Sequence, residues 1–226
     1  MKLHFNPVST ASRPVVLFLE ESKIPYEPVI VDLMAGVHLK EPFLKLNPSH
    51  MVPVLEEDDG FVLTESSAIL KYLADKVGSP AYPKDLKQRA RVNERMDWIN
   101  TNFYREWAYH LVYPQIFPNH TRSPEEAQTA CLSWGKEKAE HWLEILDRDL
   151  IGKNAYLCGD AITIADYFAA GVFSCGVLIG ASFGKYPNVE RWLKSMRGLS
   201  SWGNVNGVVE GFAASLKGKS FVTIGA

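Results

Sequence analysis

Cysteine is scarce in this chain. Only Cys131, Cys158 and Cys175 occur among 226 residues, with no C-x-x-C pair. An odd, scattered set builds no disulfide framework; it fits a reducing compartment and hence a cytoplasmic protein. Charge of one sign is lacking too: 24 Lys and Arg stand against 26 Asp and Glu. A net charge of −2 gives no reason to expect nucleic acid or an anionic membrane as partner. Long apolar runs are also missing. The most apolar stretch, Tyr167 to Ala181, contains three glycines and reads as a buried core helix, so no membrane is implied. The first residues, Met1 to Pro7, lack the apolar region of a secretory leader. No G-x-G-x-x-G, phosphate-binding loop or G-x-S-x-G stands in the right context, which leaves dinucleotide, nucleotide and serine-hydrolase chemistry unsupported. His38 and His50 are not at ligand spacing and nothing completes a set, so no metal is expected.

What is present reads as two modest domains, since 46% hydrophobic and 22% charged residues are ordinary for a globular protein. Lys2 to Phe5 is a short strand, and Pro14 fits the first turn of a helix reaching about Ser22. Tyr26 to Asp32 reads as a buried strand pairing parallel with the first through a right-handed crossover. Met34 to Asn47 is looser, with one short helix. Asn47-Pro48-Ser49-His50-Met51-Val52-Pro53-Val54-Leu55 then runs from loop into strand, where Pro53 belongs at the strand's first residue or in a bend. A turn at Asp58-Asp59-Gly60 makes a hairpin, and a helix follows from Glu65 to Val77. Residues 79–86, with two prolines, form the linker.

Beyond the linker there is no convincing strand. A long helix from about Lys87 to Tyr113 is expected to end at Pro114 and Pro118. A second runs from about Pro124 to Leu150 with Ser123 as N-cap. Thr163 and Asp166 stand at capping-box spacing before the apolar helix. Two further helices are expected, one from Pro187 and one over Val205 to Leu216, and the tail from Lys217 to Ala226 is strand-like or loose. The fold class is therefore an α/β N-terminal domain (1–78, a four-stranded mixed sheet with helices) and an all-α domain (87–226).

Two sets of residues suggest chemistry. If the Val52–Pro53 bond is cis, the backbone of Val52 is free to pair with an extended peptide, while unpaired N–H groups at the next helix's N-terminus suit a carboxylate. Glu65 beside them suits an amino group. The plain alternative is that acidic and hydroxyl residues favour any helix's first turn. Likewise Ser9, Thr10 or Ser12 can simply cap the first helix, and aromatics at helical spacing are usually core.

The run His38-Leu39-Lys40, Phe43 to His50 and Val52-Pro53, with Asn6-Pro7-Val8-Ser9 and Arg13, resembles the delta and theta classes of cytosolic glutathione transferases. The resemblance covers nearly the whole chain and is strongest in its first half. It implies a thioredoxin-like N-terminal domain and glutathione as co-substrate. Ser9 takes the place of the catalytic serine, with Ser12 as its rival. Glu65 and Ser66 match the motif for the γ-glutamyl end, Val52 and Pro53 the backbone edge, and His38 and His50 the glycyl carboxylate. Ser67 stands where the delta pattern often has arginine. Tyr109, Tyr113, Ile116 and Phe117 are candidates for a second-substrate site, and Arg105 either aids the thiolate electrostatically or, as is commoner for such a residue, makes an exposed salt bridge. The implied activity is conjugation of the glutathione thiolate to a hydrophobic electrophile, a detoxification reaction, by a homodimer. A glutathione-dependent dehalogenase and a non-catalytic binding protein of the same fold are the alternatives. No cysteine stands in the Ser9 loop, which counts against thiol exchange.

Overall fold

The computed structural model describes residues 1–225. Its first part is a four-stranded sheet ordered β2-β1-β3-β4, made of β1 (Lys2–Phe5), β2 (Glu27–Ile30), β3 (Val54–Glu56) and β4 (Val62–Thr64). β1 pairs parallel with β2 and antiparallel with β3, so His4 lies between Val29 and Val54. α1 (Arg13–Glu21) makes the crossover, with Pro14 in its first turn, where the missing N–H has no partner to lose. β2 is not the buried strand expected over Tyr26 to Asp32. It is the sheet's edge, and Glu27, Pro28 and Ile30 are exposed. Pro28 is the residue that betrays this, because proline in a sheet is confined to edges and bulges. Only Val31, just past the strand, is buried, in a small core with Phe43, Val52 and Val54.

Between β2 and β3 lie two short helical pieces rather than one, a 3-10 turn at Val37–Leu39 and α2 (Phe43–Leu46). After the β3–β4 hairpin, α3 (Ser66–Lys76) buries Ile69, Leu70 and Leu73.

The second part is helical. α4 (Leu86–Trp98), capped by the Asp85 carboxylate, continues without a break into a π-bonded stretch (Ile99–Val112) and then α5 (Tyr113–Ile116). Pro114 therefore does not end the rod. The helix passes through it to Phe117, and Pro118 opens a separate 3-10 turn. One lost N–H is tolerable so near a helix end, and the Pro114 carbonyl accepts from Gln128 Nε2 at 2.9 Å. α6 (Glu125–Ile145) runs on as a π-bonded turn to Ile151. Ser123 is not its cap: Pro124 holds that position with no side-chain bond, and the Gln128 amide oxygen instead accepts the Arg122 N–H at 2.8 Å.

α7 (Ile164–Ser174) is the central helix, buried from Ile164 to Phe173. The Thr163–Asp166 capping box is present. Asp166 also accepts Leu157 N–H at 2.8 Å and Trp192 Nε1–H at 2.9 Å, which ties α7 to α8 (Pro187–Arg197). α9 (Trp202–Ser215) starts earlier than expected. Of the tail, residue 226 lies outside the described residues, and 217–225 form no strand. The tail is nonetheless held: the Gln115 amide bonds both the N–H and the carbonyl of Val222, and Ile224 is fully buried. Among the described residues, no helix is long and apolar enough to cross a membrane.

The two parts meet where α7 crosses α1. Gly171 makes this possible, because a Cβ there would lie 2.2 Å from Pro14 Cγ.

Asp166→Ala is expected to cost on the order of 3 kcal/mol or more, because it strands buried donors on Leu157 and Trp192. Thermal or urea unfolding measures this, and Asp166→Asn should recover part of the loss.

Candidate functional site

A cleft of about 300 Å³ lies between the two parts. One wall is loop and sheet, made of Ala11, Asn47, Met51, Val52, Pro53, Glu65 and Ser66. The other is the π-bonded stretch, which contributes Asn100, Tyr104, Arg105 and Tyr109. A larger hollow of about 420 Å³ lies along α6 beside Lys136 and Glu140 and shares no residue with this cleft.

The backbone wall is made by local chemistry. Asn47 is buried and acts as a brace: its amide donates to the Met51 carbonyl and accepts the Ser49 N–H, both at 2.9 Å. The Val52–Pro53 bond is cis, and Val52 lies outside the ladders, whose pairing begins at Val54. Glu65 has φ 66° and ψ 115°, a strained conformation for a side chain of that size, costing on the order of 1–3 kcal/mol. Its exposed carboxylate has no hydrogen bond among the described residues. Its carbonyl accepts the Ile69 N–H and starts α3, so the first-turn N–H groups at Ser66 and Ser67 have no intrahelical partner.

The helical wall carries phenols. Tyr104 and Tyr113 share a hydrogen bond at 3.1 Å between their hydroxyls. Burial pushes the pKa of Tyr104 well up, and that of Tyr109 up as well, where the Glu65 carboxylate adds to the effect. Both therefore stay protonated at neutral pH. Arg105 is largely exposed, 3.7 Å from Glu106, so that ion pair adds little. It lines the same cleft as Ser66 and brings a positive charge to it.

Ser9 sits on the loop ahead of α1, half-buried. Its Oγ accepts the Ser12 N–H at 3.2 Å, which leaves the hydroxyl proton free to donate outward. It does not line the cleft itself; Ala11, two residues on, does. Ser12 is fully buried, its hydroxyl has no partner, and it makes no side-chain cap bond. Ser12 is thus closed off from the cleft, and the Ser9 side chain holds the turn that leads into α1 rather than the helix itself.

The expected residues divide accordingly. Val52, Pro53, Glu65, Ser66 and Tyr109 are brought together. His38, half-buried on the 3-10 turn with an unpartnered Nδ1, and His50, exposed at φ 60°, stand outside the walls. Tyr113 is buried, and Ile116 and Phe117 pack against the main core. Sequence reasoning missed Ala11, Asn47, Met51, Asn100 and Tyr104. The stripe expected along the rod holds, with Val92, Met96, Ile99, Phe103, Trp107 and Leu111 all buried, but it pointed to the core and left unmarked the Asn100 and Tyr104 that line the cleft beside Arg105 and Tyr109. Among the described residues, no three His, Cys, Asp or Glu cluster as a metal site.

This sheet, helical domain and interdomain cleft define the glutathione transferase architecture. Residues 8–76 match the model of the glutathione S-transferase N-terminal domain and residues 114–199 that of the C-terminal domain. The chain is 36% identical over 171 residues to human glutathione S-transferase theta-1, covering 75% of this chain and 70% of that one. Among solved structures, it resembles the silkworm Bombyx mori glutathione S-transferase unclassified 2 (TM-score 0.81, 32% identity, 97% of this chain and 98% of that one). It also resembles a delta-class glutathione transferase from Nilaparvata lugens (TM-score 0.79, 30% identity, 96% and 98%). The chain belongs to the glutathione S-transferase family.

Glu65→Gly should raise stability relative to Glu65→Ala by about 1 kcal/mol, since glycine adopts φ 66° without strain. Ser12→Ala should leave stability unchanged or slightly raised, because it removes an unpaired buried hydroxyl. Denaturant titration of the three variants reads both effects.

Proposed function

We propose that this protein conjugates the glutathione thiolate to electrophilic small molecules, with Ser9 as the catalytic residue. The observation that carries this reading is the Ser9 hydroxyl, whose oxygen is held by the Ser12 N–H while its proton remains free. A thiol in water has a pKa of about 8.5, so most of it is protonated near neutrality. A hydrogen bond donated to sulfur favours the thiolate, and the N-terminus of α1 adds to it. The sulfur then forms a bond to the electrophilic carbon. The displaced bond's electron pair leaves with a halide or with the oxygen of an opened epoxide, and the thiol proton has already gone to solvent.

In this reading Ser66 and the first N–H groups of α3 take the γ-glutamyl carboxylate, and Glu65 takes the amino group. Val52 pairs with the peptide backbone beside Pro53, and His38 and His50 serve the glycyl end. Tyr109, with Tyr113, Ile116 and Phe117 behind it, supports an apolar second-substrate wall. We assign 1–78 to glutathione, 79–86 to the linker and 87–226 to the second substrate. A cytoplasmic homodimer acting in detoxification fits this assignment, and a panel of aryl halides, epoxides and haloalkanes separates conjugation from dehalogenation.

Ser9→Ala is expected to lower turnover by one to several powers of ten with little change in glutathione binding, since a donor to developing charge contributes about 3 kcal/mol. Glu65→Ala should chiefly weaken binding, because it acts far from the sulfur. Steady-state kinetics with glutathione and an aryl halide check both. Full activity in Ser9→Ala removes the serine assignment.

A further inference from the structure

The Ser9 loop is held from behind by a charge. Arg13, at the start of α1, is 2% exposed, and the oxygens it bonds are all neutral. Nη1 donates to the Val8 carbonyl, Nη2 to Ser174 Oγ at 2.7 Å, and Nε to Asn206 Oδ1 at 3.1 Å. Burial lowers its pKa, yet a guanidinium in a protein stays protonated. An ion removed from water carries a penalty of several kcal/mol, which the Glu210 carboxylate of α9, not hydrogen-bonded to it, offsets only in part. A residue serving only to fill this space would be apolar.

The second-domain acceptors are themselves held in place. Ser174 donates its own proton to the Gly171 carbonyl at 2.6 Å, so its lone pairs face Arg13. The Asn206 amide nitrogen donates to the Trp202 carbonyl at 3.3 Å, which aims its oxygen at Nε. On the other side, Arg13 reaches both peptides that flank Ser9. Its side chain holds the Val8 carbonyl, and its backbone N–H donates to the Ser9 carbonyl at 3.1 Å. The Ser9 N–H donates to Asn6 O at 3.0 Å. With both flanking peptides held, the direction of the Ser9 side chain is set largely by where the guanidinium sits.

The geometry points to Arg13 as a positioning residue for Ser9, set in place by Asn206 of α9 and Ser174 of α7. The helical domain thereby controls thiol ionisation from behind the loop, without touching glutathione. This rests on the serine reading above. It differs from a purely structural role in what it predicts. A slack guanidinium lets the Val8–Ser9 peptide turn, the hydroxyl proton leaves the sulfur, and the thiolate becomes less favoured.

The test titrates the thiolate absorbance of glutathione bound to the full-length protein, with unfolding measured in parallel. Asn206→Ala is the first variant, because it lies in the other domain and leaves every residue of the loop in place. Its ionisation midpoint should rise by about half a pH unit, which is about a threefold loss of thiolate below the midpoint. Glutathione affinity should hold. Ser174→Ala should act in the same direction, and Arg13→Lys should keep the charge yet fail to restore the midpoint, since lysine lacks the fork that reaches three oxygens. In a Ser9→Ala background the shift from Asn206→Ala should vanish, because nothing remains to be positioned. A folded Asn206→Ala protein with an unmoved midpoint, beside a Ser9→Ala protein whose midpoint has moved, overturns the Arg13 proposal alone. So does a shift that persists without Ser9, or full rescue by lysine. An unmoved midpoint in Ser9→Ala overturns the serine reading and the Arg13 proposal with it.

Discussion

The constraint on which the site's shape depends is the buried guanidinium of Arg13. Its bonded oxygens come from the loop after β1, from α7 and from α9, so it is satisfied only when the two domains are docked. A buried charge with a missing partner costs several kcal/mol, which makes domain docking and the shape of the Ser9 loop one cooperative event. Gly171 allows the close approach that brings Ser174 within reach. Cys175 stands beside the same charge but is inert: burial pushes its thiol up to about 12, against the pull of Arg13.

The cleft in front of that loop has walls of different kinds. The sheet side offers backbone, in Val52 outside the ladders and the open N–H groups of α3, with Asn47 as brace. Such groups are rigid and carry no side-chain entropy to lose on binding. The helical side offers side chains, two protonated phenols whose pKa burial raises further and the exposed cation of Arg105. A constant ligand suits the first wall and variable partners suit the second. That division fits the proposed reaction, in which one co-substrate meets an electrophile.

Much of this was legible in the sequence because the signals were local. Val52-Pro53 before a strand, Glu65-Ser66 at a helix start and Thr163 with Asp166 each carry their meaning within a few residues. The readings that failed depended on surroundings. Pro114 looked like a helix stop, yet it sits close enough to the rod's end that the lost bond is tolerated. Ser123 looked like a cap, but Pro124 takes the cap position and no side chain caps the helix. The strand at Glu27 looked buried because its apolar residues were counted without its place at the sheet's edge, although Pro28 marked that place. The Arg13–Asn206 pair spans 193 positions, beyond any spacing rule.

The claim at the centre is that the Ser9 hydroxyl meets the glutathione sulfur. The most direct measurement is a crystal structure of the wild-type protein with glutathione bound. The sulfur should lie within hydrogen-bond reach of Ser9 Oγ, with Glu65 and Ser66 at the γ-glutamyl end and Arg13 still bonded to the Val8 carbonyl. A sulfur seated instead against Tyr104 or Tyr109, with Ser9 turned away from it, would contradict that claim.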